Sequence, residues 1–208
     1  MAPLTLLQRS GATAEAADWQ KAVIVVIDAQ NDYVDGSLPL TGVEAAVTEI
    51  RGLLDLAREG GVPVIHVIHK SGAGSWLFDP GSHGAEIIAA LAPVKGERVV
   101  EKTLPNAFAG TELQDVLTGI ATETGRSELV LTGFMTHMCV GATARAALDL
   151  GFKSTVIASA TATRDLPDPL GGVIPAETVQ RTALAEIADR FATVVRDISA
   201  VAKRAAKV

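Results

Sequence analysis

Three residues of different chemical types stand near the ends of predicted strands, and together they could carry out acyl transfer. Cys139 is the only cysteine among the 208 residues, Asp28 supplies a carboxylate and Lys102 an ammonium group. A thiolate attacks a carbonyl carbon, a carboxylate moves the proton, and an ammonium group stabilises negative charge on either. Each residue also has an ordinary structural role: a packed thiol, a capping carboxylate or a solvated lysine. The chemistry depends on whether the fold brings the three together.

Cys139 lies where a strand gives way to a helix. The apolar run 129–131 predicts a buried strand, and the residues from Cys139 onward predict a helix. The positive end of the helix dipole favours a thiolate, so we expect the pKa of Cys139 to be lowered. Lys102 would lower that pKa further if its charge lies close by.

Strand and helix patterns alternate along the chain and predict an open, parallel α/β sheet. The predicted strands are 22–28, 62–68, 98–101, 129–132, 154–158 and 193–195. The predicted helices are 43–59, a short one near 85–91, 111–120, one from Cys139, 176–190 and 197–206, and the segment 159–172 is predicted to be a loop. Ligands bind outside the carboxyl ends of such strands, so the three candidate residues should project at one edge of the sheet.

Composition limits both the fold and the partners. The chain is 48% hydrophobic but only 4% aromatic, which suits a core of aliphatic residues between a parallel sheet and helices. A net charge of −6 argues against nucleic acid or an anionic membrane as a partner. The single cysteine excludes an internal disulfide, and no long apolar run is present, so we expect a cytoplasmic protein. Residues 1–20 are expected to form a surface arm before one domain at 21–208.

Three motifs in a fixed order carry a resemblance to a known family. They are Asp28-x-Gln30-x-x-Tyr33, then Lys102 followed six residues later by Phe108 in Asn-Ala-Phe-x-Gly-Thr, then Gly133-x-x-Thr136-x-x-Cys139-Val-x-x-Thr-Ala-Arg-x-Ala. Residues 20–195 thereby resemble the isochorismatase-like cysteine hydrolases, relatives of nicotinamidases and N-carbamoylsarcosine amidase. The resemblance implies a three-layer α/β/α, Rossmann-like fold with a six-stranded parallel sheet in the order 3-2-1-4-5-6. It also implies a catalytic triad of Asp28, Lys102 and Cys139 and a homo-oligomer, either a dimer or a tetramer. We expect no cofactor.

The resemblance also implies how the substrate is held. The oxyanion hole would consist of the backbone N–H groups of Cys139 and Met135, with a cis peptide bond between Phe134 and Met135. Tyr33 and Phe108 occupy positions that line the substrate pocket in the family.

Trp76, in a loop rich in Gly and Ser, is a candidate third wall of the pocket. Three aromatic residues near one edge, in a chain so poor in them, favour a flat or apolar substrate.

Other site chemistries fit the sequence less well. The turn after the first strand, Ala-Gln-Asn-Asp, lacks the glycines of a dinucleotide-binding loop. Gln30 stands where an aspartyl phosphatase usually has its second acid. His66 and His69 are three residues apart on a strand, hence on opposite faces, so we expect no metal site.

Two alternatives to amide hydrolysis stay open at this point. One is hydrolysis of the vinyl ether of isochorismate, with Asp28 as proton donor and no need for a nucleophile. The other is a non-catalytic, redox-sensitive oligomer. The presence of Cys139 favours cleavage of a C–N bond in a small amide through a thioester.

Overall fold

The central sheet has six parallel strands. The computed structural model describes residues 3–11 and 13–205. In chain order its strands are β1 (Ala22–Ile27), β2 (Val64–His69), β3 (Arg98–Lys102), β4 (Glu128–Phe134), β5 (Lys153–Ala162), β6 (Leu166–Pro167), β7 (Val173–Ile174) and β8 (Thr193–Val195). The sheet order is β3-β2-β1-β4-β5-β8, while β6 and β7 form a separate antiparallel pair. Because β8 is the sixth strand of the main sheet, the predicted order 3-2-1-4-5-6 is confirmed.

Helices cover both faces of this sheet. They are α1 (Leu6–Arg9), α2 (Val43–Glu59), α3 (Leu113–Thr124), α4 (Gly141–Asp149), α5 (Ala176–Glu186) and α6 (Ser199–Ala205). Successive side chains of a strand point to opposite faces, so Ile24 and Val26 pack with α2 in one core layer. Val23, Val25 and Ile27 pack with α3 and α4 in the other. The predicted three-layer architecture is thereby confirmed, and none of the described helices is both long and apolar enough to cross a membrane.

The prediction of a helix near 85–91 is wrong. Two short 3-10 turns, His83–Ala85 and Ala89–Leu91, stand there instead. The residues between them pair with the chain just after β1: Ile88 N–H donates to the Ala29 carbonyl at 2.9 Å, and Asn31 N–H donates to the Glu86 carbonyl at 3.0 Å. This long-range pairing replaces the local hydrogen bonds of a helix and closes one side of the edge where Asp28 lies.

The loop predicted at 159–172 begins too early. β5 runs on to Ala162, and after an irregularity between Leu131 and Gly133 it pairs again with the end of β4. The Thr136 hydroxyl then donates to the Ala162 carbonyl at 3.1 Å. The remainder of the segment forms the β6–β7 hairpin. The extension of β5 fixes the turn that carries Cys139.

The N-terminal segment packs onto the edge of the sheet. Ala17 N–H donates to the Thr155 hydroxyl at 2.8 Å, and the Thr193 hydroxyl donates to the Glu15 carbonyl at 3.1 Å. Trp19, just before β1, is buried. The residues that precede the first strand therefore contact β5 and β8, at the opposite side of the sheet from β3.

Candidate active site

Asp28 is held at the end of β1 in an unusual backbone conformation. Its φ is 49°, in the left-handed region that few residues other than glycine adopt. Its N–H donates to the Val67 carbonyl at 2.8 Å, and its side chain is completely buried. Beside it, Gly133 has φ 104°, and a side chain there would run into the backbone of Ile27. The close approach of β4 to β1 therefore depends on this glycine and places Asp28 opposite the Cys139 turn.

Lys102 reaches the other two residues from two strands away. It is the last residue of β3, and β2 lies between β3 and β1. Its Nζ lies 2.7 Å from Asp28 Oδ2 and 3.4 Å from Cys139 Sγ. Lys102 is almost fully buried, although lysine is rarely buried unless it is paired. The structure thus brings the acid, the ammonium group and the thiol together.

Cys139 belongs to a π-helical turn, Thr136–Val140, that continues into α4. The turn starts at Met135, whose carbonyl accepts hydrogen bonds from Met138 N–H at 3.0 Å and Val140 N–H at 3.2 Å. The peptide bond between Phe134 and Met135 is cis. No residue in the described ranges accepts a hydrogen bond from the Met135 N–H, which leaves this amide available to a ligand.

The predicted lowering of the thiol pKa is wrong. Burial and the negative charge of Asp28 raise the pKa of Cys139 to about 12, and Lys102 offsets only part of this. Burial likewise raises the pKa of Asp28, against the charge of Lys102. Only 5% of the Cys139 surface is exposed, so the loss of hydration outweighs the favourable end of a helix. At neutral pH the resting site therefore holds a protonated thiol.

The three predicted substrate-binding residues occupy different environments. Tyr33 is buried, with its ring edge-on to Phe78 at 5.1 Å, and burial followed by the charges of Asp28 and Cys139 raises its pKa. Phe108 is stacked on Phe152, which precedes β5 at the opposite edge of the sheet. Trp76 is 69% exposed.

Tyr33 lies close enough to Asp28 and Cys139 for their charges to act on its hydroxyl group. The contribution of Tyr33, Phe108 and Trp76 to substrate binding stays a prediction.

Two residues at this edge have roles that the sequence analysis missed. Lys102 Nζ lies 3.1 Å from His69 Nδ1, and His69 had been considered only as a metal ligand. Gln30 holds the backbone of His69 from both sides: its Nε2 donates to the His69 carbonyl and its Oε1 accepts from the His69 N–H. The available signal is that His69 and Lys102 are register partners at the ends of neighbouring parallel strands.

Arg164 is a cation near the site without an acidic partner. It forms no ion pair with a described carboxylate, its Nε is buried without a hydrogen-bond partner, and its Nη1 donates only to the Asp165 carbonyl. Burial and the charge of Arg164 lower the pKa of His137, and the same charge acts on the Tyr33 hydroxyl.

The histidines of β2 do not converge on one site. His66 contacts Glu97 at 2.9 Å, away from His69. No group of three or more potential metal ligands occurs in the part of the chain that the structure describes.

Comparison with known proteins places this geometry in a family. Residues 22–198 match the model of the isochorismatase domain. A secreted isochorismatase effector of Verticillium dahliae is 40% identical over 185 residues, 89% of this chain and 93% of the relative. Maleamate amidohydrolase of Pseudomonas putida is 32% identical over 154 residues, 66% of this chain and 70% of the relative.

A solved structure agrees with the sequence relatives. The crystal structure of an isochorismatase from Pseudomonas putida KT2440 superposes with a TM-score of 0.88 and 40% identity, covering 95% of this chain and 99% of that one. With isochorismatases and an amidohydrolase among its relatives, the protein is a hydrolytic enzyme. The chain belongs to the isochorismatase family.

Proposed function

We propose that this enzyme hydrolyses the C–N bond of a small amide through a thioester on Cys139. The observation that carries the proposal is the position of the Lys102 ammonium group, which lies between Asp28 Oδ2 and Cys139 Sγ. A nucleophile, a proton acceptor and a fixed positive charge are the parts that acyl transfer needs. Vinyl-ether hydrolysis would use the acid but not the thiol.

The first half of the reaction forms the thioester. Asp28 accepts the thiol proton as Cys139 Sγ bonds to the amide carbon, and the carbonyl electron pair moves onto oxygen. The backbone N–H groups of Met135 and Cys139 stabilise that oxyanion. When the C–N bond breaks, Asp28 returns its proton to the nitrogen, which leaves as ammonia or an amine.

The second half regenerates the enzyme. Asp28 takes a proton from water, the hydroxide oxygen attacks the thioester carbon, and the thiolate leaves. Asp28 gives the proton to the thiolate, so the products are a carboxylic acid and the free thiol. Asp28 thus acts as base and acid in turn in both halves.

The pKa directions suit this order of events. A thiol with a pKa of about 12 is not ionised in advance, so its proton must leave while the S–C bond forms. Lys102 stabilises whichever neighbour carries the negative charge, since its Nζ contacts both. Proton transfer from Cys139 to Asp28 therefore moves the negative charge by a short distance beside a fixed cation.

We further propose that the substrate carries a carboxylate. Arg164 supplies a guanidinium group that has no acidic partner among the residues that the structure describes, and guanidinium pairs with carboxylates through two parallel hydrogen bonds. The name of the Pseudomonas relative, maleamate amidohydrolase, denotes an amide that bears a carboxylate. An acid group on Arg164 and an amide on Cys139 would fix both ends of a short substrate.

Ammonia release from a panel of small amides tests the proposal. The panel pairs each carboxylate-bearing amide with its neutral ester or amide counterpart, and isochorismate, which contains no nitrogen, is assayed separately by the pyruvate that it releases. We expect release from carboxylate-bearing amides, none in Cys139→Ala, and a lost preference for the acid in Arg164→Gln. Turnover of isochorismate alone, retained in Cys139→Ala, would instead establish the proton-donor route.

Oligomeric state and location are also proposals. We propose that the protein is cytoplasmic. We also propose that it is a homo-oligomer, because the β6–β7 hairpin exposes Leu170 and Val173, apolar side chains that a second copy would cover. Light scattering of the purified chain should give a mass of two or four copies. The Verticillium relative is secreted according to its name, so fractionation of the native cells decides the location.

A further inference from the structure

We infer that His69 is a positioning residue, which accepts the third N–H of Lys102 and so holds the ammonium group on Asp28 and Cys139. This rests on the proposed function, in which Lys102 stabilises the charges that form during acyl transfer. Among the hydrogen bonds and ion pairs of the described residues, the His69 side chain contacts Lys102 but neither the thiol nor the Asp28 carboxylate.

The Lys102 ammonium group has as many N–H donors as it has close partners. A lysine ammonium group has three N–H bonds and no acceptor. Its three close partners here are Asp28 Oδ2 at 2.7 Å, His69 Nδ1 at 3.1 Å and Cys139 Sγ at 3.4 Å. The ammonium group hydrogen-bonds His69 and Cys139 and forms an ion pair with Asp28, so its displacement would weaken at least one of these contacts in a buried site. Removing the imidazole leaves one N–H unpaired.

The position of His69 is itself fixed, through its backbone by Gln30 and through its ring by Phe78. Gln30 fixes the backbone of His69 through two hydrogen bonds of 2.8 and 2.9 Å. The ring lies 5.5 Å from that of Phe78, whose N–H donates to Asp32 Oδ2 at 2.6 Å. Because its own position is fixed, the imidazole ring can fix the position of the Lys102 ammonium group.

The protonation state of the ring agrees with this role. Burial and the charge of Lys102 lower the pKa of His69 to about 4, so the imidazole is neutral above that pH. In the neutral ring one nitrogen accepts and the other carries the proton. Since Nδ1 faces the Lys102 ammonium group, it is the acceptor, and the proton resides on Nε2.

Two substitutions at His69 distinguish the loss of the hydrogen-bond acceptor from a change in side-chain volume. Asn places its Oδ1 at the branch position of Nδ1 and keeps an acceptor, whereas Leu fills similar space without one. We expect His69→Leu to lower kcat about 10- to 100-fold on the best amide of the panel. We also expect the acidic limb of kcat/KM to move to higher pH, because a loosely held cation stabilises the Asp28 carboxylate less. His69→Asn should restore both.

The second readout needs no substrate. Alkylation of Cys139 by iodoacetamide, followed by intact mass, should slow in His69→Leu and recover in His69→Asn. His83→Leu, which removes an exposed histidine, is the control and should behave as wild type. If His69→Leu does not fold, His69→Phe replaces it, since it keeps a ring against Phe78 but offers no acceptor.

The outcomes distinguish this inference from the proposed function. Wild-type pH profiles and alkylation rates in His69→Leu, or an equal defect in His69→Asn, would overturn the positioning role. If only the proposed function is wrong, Cys139→Ala will retain amide turnover. The alkylation of Cys139 will still be slow in His69→Leu and restored in His69→Asn.

Discussion

Replacing Asp28 by Asn should make Cys139 more reactive toward an alkylating agent while abolishing catalysis. The substitution keeps the shape of the side chain but removes the negative charge that, after burial, most raises the pKa of the thiol. In the wild type, Lys102 Nζ lies 3.4 Å from Sγ. At an effective dielectric of about 20, that distance corresponds to an attraction of about 5 kcal/mol for a thiolate, which offsets much of its desolvation.

The size of the effect follows from the two pKa values. With a pKa of about 12, roughly one thiol in 10⁴ is ionised at pH 8. Burial persists in Asp28→Asn, so the pKa should fall only part of the way from about 12 to the ordinary 9.0; a full return would raise the ionised fraction at pH 8 to about one in ten, an upper limit of about 10³ on the gain. A less basic thiolate is a weaker nucleophile, which removes about 30-fold of that gain. The net expectation is alkylation faster than in the wild type, by at most about 30-fold.

The assay measures iodoacetamide labelling at pH 8 by intact mass, and the single cysteine makes the stoichiometry unambiguous. Ammonia release is measured in parallel and should be lost, because no group remains to carry the proton. Asp35→Asn, which removes an exposed carboxylate, serves as the control and should change neither rate. Slower labelling in Asp28→Asn, or turnover near that of the wild type, would refute the assignment of Asp28 as the base beside a protonated thiol.

The remaining predictions concern Lys102 and Gly133. Lys102→Met removes an attraction of about 6 kcal/mol for the Asp28 carboxylate at 2.7 Å, again at an effective dielectric of about 20. The pKa of Asp28 should rise, and since the carboxylate is the active form, activity should be lost as pH falls through that higher pKa. The pH profile of kcat/KM checks this, with a fall of at least about 10³-fold at pH 7 and no change in Lys70→Met, whose ion pair is exposed. Gly133→Ala should lower the free energy of unfolding by about 1–3 kcal/mol or more in urea titrations, because φ is 104° there and the backbone of β1 leaves no room. Gly119→Ala, in an open position on α3, should instead be neutral or stabilising, and equal stabilities for the two variants would count against the close approach of β4 to β1.

Much of the fold follows from local patterns. The apolar spacing of α2 and the aliphatic runs of β1 and β4 are strong signals, and alternation of strands with helices limits the topology. The pattern predicts the wrong structure at 85–91. The local sequence favours a helix there, but hydrogen bonds to Ala29 and Asn31 hold the segment in another conformation. It also missed the end of β5, because a strand that resumes after a bulge has no regular alternation.

The site residues could be predicted more completely than their electrostatics. Strand-end positions brought Asp28 and Lys102 to one edge, yet the pKa of Cys139 depends on how deeply the thiol is buried. Burial is a property of the whole fold, so helix position alone predicted the wrong direction. The contact of His69 with Lys102 follows from strand register, which local patterns do not determine.

The most direct test of the central claim is the mass of the protein during turnover. After rapid acid quench of the wild type with its best amide, intact mass should show an increment equal to the acyl group, located on Cys139 by peptide mapping and removed by hydroxylamine. The increment and the ammonia release should both be absent from Cys139→Ala. Steady turnover without any adduct at the earliest times, retained in Cys139→Ala, would contradict a thioester mechanism.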